Sequence, residues 1–349
     1  MPLRLRDDLM LYCEKLAILA MVCLPLGGCW SPSGADVVVY TALDSEFSQP
    51  IFHDFNQATG IRVLPKFDTE STKTAGLAAA IDAERQRPRC DVFWNNEILH
   101  TVLLEKKGLL ASYRPPIAES YPAACRSAAG AWHGFAARAR VILVNTKLVP
   151  EAKRPRSILD LADPKWRGRI GIAKPLYGTT ATQAACLFAA WGDDRAKDYF
   201  RRLKANQVQI LSGNKQVAMS VGGGRLAFGL TDTDDSLEEI QQASPVTIIY
   251  PDQADGGLGT LFIPNTLAIV AGCPHPEAAR RLVDYLLSPE VEAKLAAGPS
   301  AQIPLNPAVK VKLRVQSPGS VRPMRADFSA AADHWPTAAK FLRDEFTAE

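Results

Sequence analysis

The stretch Val37–Phe67, VVVYTALDSEFSQPIFHDFNQATGIRVLPKF, decides the architecture. Val37-Val38-Val39-Tyr40 is an unbroken apolar, β-branched run, the pattern of a strand buried on both faces. A helical segment follows. Pro50 suits a first turn, Ile51, Phe55 and Ala58 share one face, and Gly60 stands where a C-cap belongs. Ile61–Phe67 then returns to strand character. Strand, helix and strand in that order make a βαβ unit, and such units build mostly parallel sheets.

The pattern continues outward. Leu77–Arg85 reads as a helix, Asp91-Val92-Phe93-Trp94 as a strand, and Ile98–Lys107 as a helix closed by Gly108. Val141–Val144 is a buried strand, Ile158–Leu161 a short helix, and Arg169–Ala173 a strand leading through Gly178-Thr179-Thr180 into an apolar helix, Ala181–Trp191. Strands are expected at Arg225–Leu230, Val246–Tyr250 and Thr266–Ala271, and helices at Pro276–Leu287 and Thr337–Phe346. At 349 residues the chain exceeds ordinary single-domain size, so two lobes are expected. Apolar residues at 47 % suffice for two cores. The net charge of +3 is small and unclustered, which excludes a nucleic-acid footprint.

At the N-terminus, Leu16–Leu26 is an uncharged apolar run, too short for a lasting bilayer span of roughly 20 residues. It ends in Leu26-Gly27-Gly28-Cys29, and reads as an export signal over residues 1–28. The ending resembles a bacterial lipobox, which implies lipidation of Cys29 and a tether over 29–36. Removal of the signal leaves Cys90, Cys125, Cys186 and Cys273 in a compartment that permits disulfides, with three possible connectivities or buried free thiols.

The histidines (His53, His100, His133, His275, His334) are scattered, with no spacing that suits zinc. Neither the P-loop motif of nucleotide-binding enzymes nor a nucleophile elbow nor a dinucleotide fingerprint is present, so an enzyme has no positive support.

Taken together, Val37–Val63, Asp91–Trp94, Ala137-Arg138-Ala139-Arg140-Val141, Asp163–Gly171, Asn214–Asp235, Pro276–Ala296 and Ile303–Pro307 resemble the periplasmic ferric-ion-binding proteins, the iron(III) branch of ABC-importer solute receptors. The resemblance implies a type II periplasmic-binding-protein fold: two α/β lobes with mixed sheets, two hinge crossovers, and a cleft that closes on its ligand. The implied boundaries are 37–135 with 262–349 for one lobe and 136–261 for the other. It implies importer permease and ATPase subunits as partners, a monomeric receptor, and no resident cofactor beyond the bound ligand.

The family's paired tyrosine ligands fall here on Asp234 and Asp235, its histidine on or beside Asp44, and its glutamate on Asn96, with Glu97 next. Asp232 completes an acidic group just after a strand, where open α/β sheets bind ligands. Clustered carboxylates suit a hard cation, and equally suit a helix-capping turn. Gly178, Thr179 and Asn214 match the family positions that hold phosphate or carbonate beside the iron, and a helix N-terminus favours such an anion. Trp94 and Tyr40 end strands near the expected cleft, as ligand-stacking residues or as packing. The expected cargo is a metal cation, ferric iron with a synergistic anion, with an organic cation or a phosphonate or phosphorylated solute as the alternative.

Overall fold

The computed structural model describes residues 36–68 and 74–348; the expectations for the export signal, Cys29 and most of the tether fall outside them. The opening stretch folds as read: β1 (Asp36–Thr41), α1 (Ser45–Thr59) and β2 (Arg62–Phe67), with β1 and β2 parallel. Gly60 closes α1 at φ +72°, a left-handed conformation that suits glycine. The helix starts earlier than Pro50 indicates. Asp44 is its N-cap, Pro50 lies inside, and Phe52, not Ala58, joins Ile51 and Phe55 on the buried face.

The chain continues through α2 (Ala75–Ala83), β3 (Val92–Asn95), α3 (Leu99–Lys106) and the short β4 (Leu110–Ala111) to the long β5 (His133–Asn145), buried along its whole length. Next come β6 (Ile170–Ala173), α4 (Gly178–Trp191), α5 (Asp193–Ala205), β7 (Gln209–Leu211), α6 (Asn214–Gly222), β8 (Phe228–Asp232), α7 (Thr233–Gln241) and β9 (Val246–Ile249). The chain ends with β10 (Phe262–Val270), α8 (Pro276–Leu286), α9 (Pro289–Ala297) and α10 (Phe328–Phe341), which runs into one wide turn at Leu342–Phe346. The closing segment Pro276–Ala296 is thus two helices, because Ser288 caps a new start through the Val291 amide.

The strands run β2-β1-β3-β10-β5-β8-β6-β7. β10 is antiparallel to both β3 and β5, so the sheets are mixed. β5 is shared by the two lobes: His133–Ala139 pairs with β10, and Arg140–Asn145 pairs with β8 and β9. The chain returns to the first sheet between β9 and β10, the second crossover. Alternation along the strands sends Val37, Val39 and Trp94 to one core and Tyr40 and Phe93 to another on the opposite face. A third core, with Trp166, Phe188, Phe200 and Phe228, fills the second lobe. α10 starts at its Asp327 cap, well before Thr337, and gives Ala331 and Ala332 to one core and Ala338 and Phe341 to another.

Cys90, Cys125, Cys186 and Cys273 are free thiols, which closes the disulfide alternative for these four in the structure. Among the described residues no helix is long and apolar enough to cross a membrane.

Candidate ligand cleft

A cleft of about 380 Å³ lies where β5 passes between the lobes. Four helices begin at its wall: α1 at Asp44-Ser45-Glu46, α4 at Tyr177-Gly178-Thr179, α6 at Gly213-Asn214-Lys215 and α7 at Asp232 to Asp235. Each N-terminus presents amide N–H groups without intrahelical partners and the positive end of a helix dipole. That convergence explains part of the acidic clustering: Glu46, Asp234 and Asp235 are first-turn residues, where the dipole favours a carboxylate. Gly178 opens α4 at φ +57°, a conformation that any side chain would strain, and no side chain caps that helix.

Behind the cleft lies a saturated polar network. Arg140 is fully buried. Its Nη1 donates to Asp232 Oδ1 at 2.7 Å, Asn214 Oδ1 at 3.0 Å and Thr179 Oγ1 at 3.2 Å. Its Nε reaches Gln183 at 2.9 Å and its Nη2 reaches Thr180 at 3.2 Å. Thr179 Oγ1 donates to Asp232 Oδ2 at 2.6 Å, and Asn214 Nδ2 donates to the same oxygen at 3.0 Å. The side chains of Thr179 and Asn214 therefore set the position of the α4 and α6 N-termini, and backbone amides remain to face a ligand.

Two residues before Arg140, on the same face of β5, Arg138 pairs with Asp234, Nη1 to Oδ2 at 3.0 Å. Burial works against its charge, and Asp234, then Asp232, Asp235 and Asp44, outweigh that, holding the guanidinium more firmly protonated than usual.

Most of the sequence-derived candidates meet here: Asp44, Asn96, Gly178, Thr179, Asn214, Asp232, Asp234 and Asp235 all line the cleft. Carboxylate oxygens of Asp232, Asp234 and Asp235 lie within 4.8 Å of one another. Three candidates do not belong. Trp94 is fully buried between Phe52 and Phe135, with centroids at 5.5 and 5.6 Å, because its strand faces core on both sides. Tyr40 is likewise core, its hydroxyl donating to Glu84 at 2.8 Å. Glu97 does not line the cleft. It accepts from Asn95 at 2.7 Å, from His100 Nδ1 at 2.9 Å, from the Leu99 amide, and from Thr182 of α4 at 2.6 Å. It is a buried tie between the start of α3 and α4. Burial alone would raise its carboxyl, but the neighbouring His100 and the hydrogen bonds from His100, Thr182 and Asn95 hold it below the usual glutamate range.

Arg138 and Arg140 are candidate functional residues that the acidic-cluster pattern alone does not single out. The signal was there: two arginines at i and i+2 in an otherwise apolar strand demand buried acidic partners, and Asp232 and Asp234 stand at the same spacing.

Residues 91–329 match the family described as bacterial extracellular solute-binding protein. The chain belongs to that family. The major ferric iron-binding protein of Neisseria meningitidis is 26 % identical over 288 residues, covering 80 % of this chain and 83 % of that one. A putative 2-aminoethylphosphonate-binding periplasmic protein of Salmonella typhimurium is also 26 % identical, over 291 residues, covering 81 % and 82 %. Among solved structures, iron-bound HitA from Pseudomonas aeruginosa superposes with TM-score 0.80 at 24 % identity, over 88 % of this chain and 99 % of that one. The periplasmic binding protein AfuA from Actinobacillus pleuropneumoniae, with exogenous fructose-6-phosphate bound, also gives 0.80, at 22 % identity, over 90 % and 99 %. These neighbours share the two-lobed fold, as the sequence resemblance implied. Iron and phosphonate binders stand at equal identity, so kinship alone does not select the cargo.

Proposed function

We propose that this solute-binding protein is the extracytoplasmic receptor of an ABC importer, held to the membrane through Cys29. In this reading it captures a small zwitterion carrying a phosphonate- or phosphate-type oxyanion and an amine. The observation that carries this reading is that both signs of charge face one cleft. Arg138, Lys174, Lys215 and the α4 amides offer donors to an oxyanion, while Asp44, Glu46, Asp68, Asp234 and Asp235, the more numerous group among the described residues, present carboxylates to an ammonium. The buried Asn96 adds an amide oxygen without a hydrogen-bond partner among the described residues. A naked anion meets too many carboxylates, and a bare cation meets a buried guanidinium.

A second reading, ferric iron with a synergistic anion, is favoured by the 4.8 Å grouping of Asp232, Asp234 and Asp235. Against it, Asp232 and Asp234 already hold arginines at 2.7 and 3.0 Å.

The test is a melting screen of the purified protein with 2-aminoethylphosphonate, a phosphate ester, putrescine, and ferric citrate with and without phosphate. A ligand at 100 times its Kd adds about 2.7 kcal/mol, several degrees for a protein of this size. Stabilisation by the aminophosphonate supports the zwitterion reading. A shift with ferric iron alone overturns it in favour of the metal.

A further inference from the structure

The geometry points to Arg138 as the residue that anchors the ligand's oxyanion and decides specificity, an inference that rests on the cargo reading above. A guanidinium offers five N–H donors in a fixed fork. Arg138 spends Nη1 on Asp234, and its Nε and Nη2 have no hydrogen-bond partner among the described residues although the residue is only 5 % exposed. Buried donors without acceptors are costly, and in a core they are rare. These belong to a residue that lines the cleft.

The Nε and Nη2 edge is the side-on fork that fits two oxygens of one oxyanion. The same molecule shows the fit: Arg62 grips the two oxygens of Asp36 with Nε at 3.0 Å and Nη2 at 2.7 Å. On Arg138 that edge has no acceptor among the described residues, and the residue lines the cleft.

Its mounting suits the task. Arg138 sits on β5 opposite Ile263, two residues before Arg140 changes partner strand to β8. It therefore belongs to the strand common to both lobes. Asp234 holds the Nη1 end at 3.0 Å, and the donors of the other edge remain without an acceptor among the described residues.

The experiment is calorimetric titration of the purified protein and its Arg138→Lys and Arg138→Gln variants with 2-aminoethylphosphonate, inorganic phosphate and ferric citrate. Lysine retains the charge beside Asp234 but not the fork, so it guards against simple misfolding, and a melting curve of each variant checks the fold. Affinity for the aminophosphonate is expected to fall roughly 10- to 100-fold in both variants, the worth of a charged hydrogen-bonded contact. Ferric citrate binding is expected to be no weaker in Arg138→Gln than in the wild type. Aminophosphonate binding within threefold of wild type in both variants would overturn the anchor role and leave the cargo reading intact. A wild-type protein that takes up neither phosphonate nor phosphate would overturn both.

Discussion

Arg140 and Asp232 face each other directly across β5 and β8, with Nη1 and Oδ1 2.7 Å apart and both side chains closed off from solvent. The pair joins the strand shared by the lobes to the start of α7 and, through Thr179 and Asn214, to the starts of α4 and α6. Removing one partner strands the other as a buried charge. Arg140→Met or Asp232→Leu alone is expected to cost about 3–5 kcal/mol in urea unfolding, and the double variant clearly less than their sum. Additive losses would show that the two are not energetically paired.

Trp94 provides a contrast, because the sequence offered it as a ligand contact and the structure seals it in a core. Trp94→Ala is expected to destabilise by about 3–5 kcal/mol. Trp94→Phe, which keeps most of the packing, should bind any cargo the wild type binds with unchanged affinity. A large affinity loss in the phenylalanine variant would return Trp94 to the site.

Glu97 makes a pH-dependent contribution with a definite sign. Its folded carboxyl titrates below the ordinary value of 4.5. The stability it supplies is therefore present above about pH 4.5 and lost as pH falls through the lower folded value. Glu97→Gln is expected to cost roughly 1–3 kcal/mol at pH 7. The gap between the two proteins should narrow on titration toward pH 3, read by denaturant unfolding at each pH. A gap that stays constant across that range would exclude the ionised form as the source of the stability.

Ala136 holds φ +44° in β5, close to where the strand passes between the lobes. Its amide donates to the buried Glu292 at 2.7 Å and its carbonyl accepts from Asn265. An L side chain in that region costs about 1–2 kcal/mol, which glycine avoids. Ala136→Gly should therefore be neutral or slightly stabilising in melting experiments. Ala139→Gly on the same strand should lose about 0.5–1 kcal/mol. Equal losses at both positions would show that the kink carries no strain.

Chain length and the family resemblance carried the two-lobed expectation, while the sequence by itself determined the α/β class, the opening βαβ unit and the segment containing the acidic group. These follow from local signals: apolar runs of strand length, a C-cap glycine, and aspartates placed just after a strand. α5 carried a legible signal that went unread, with Ala196, Tyr199, Phe200 and Leu203 at i, i+3, i+4 and i+7 among charged residues, whereas the three-residue β7 is too short to show a period. Only the tertiary structure decided which residues face the cleft. Trp94, Asn96 and Glu97 stand within four positions of one another, yet one is core, one lines the cleft and one is buried against Thr182 of α4. The register of β5 against β8, and the meeting of four helix starts at one point, depend on contacts between segments far apart in the chain. That same register turned two unassigned arginines into the counter-ions of Asp232 and Asp234, and so changed what the acidic cluster can hold.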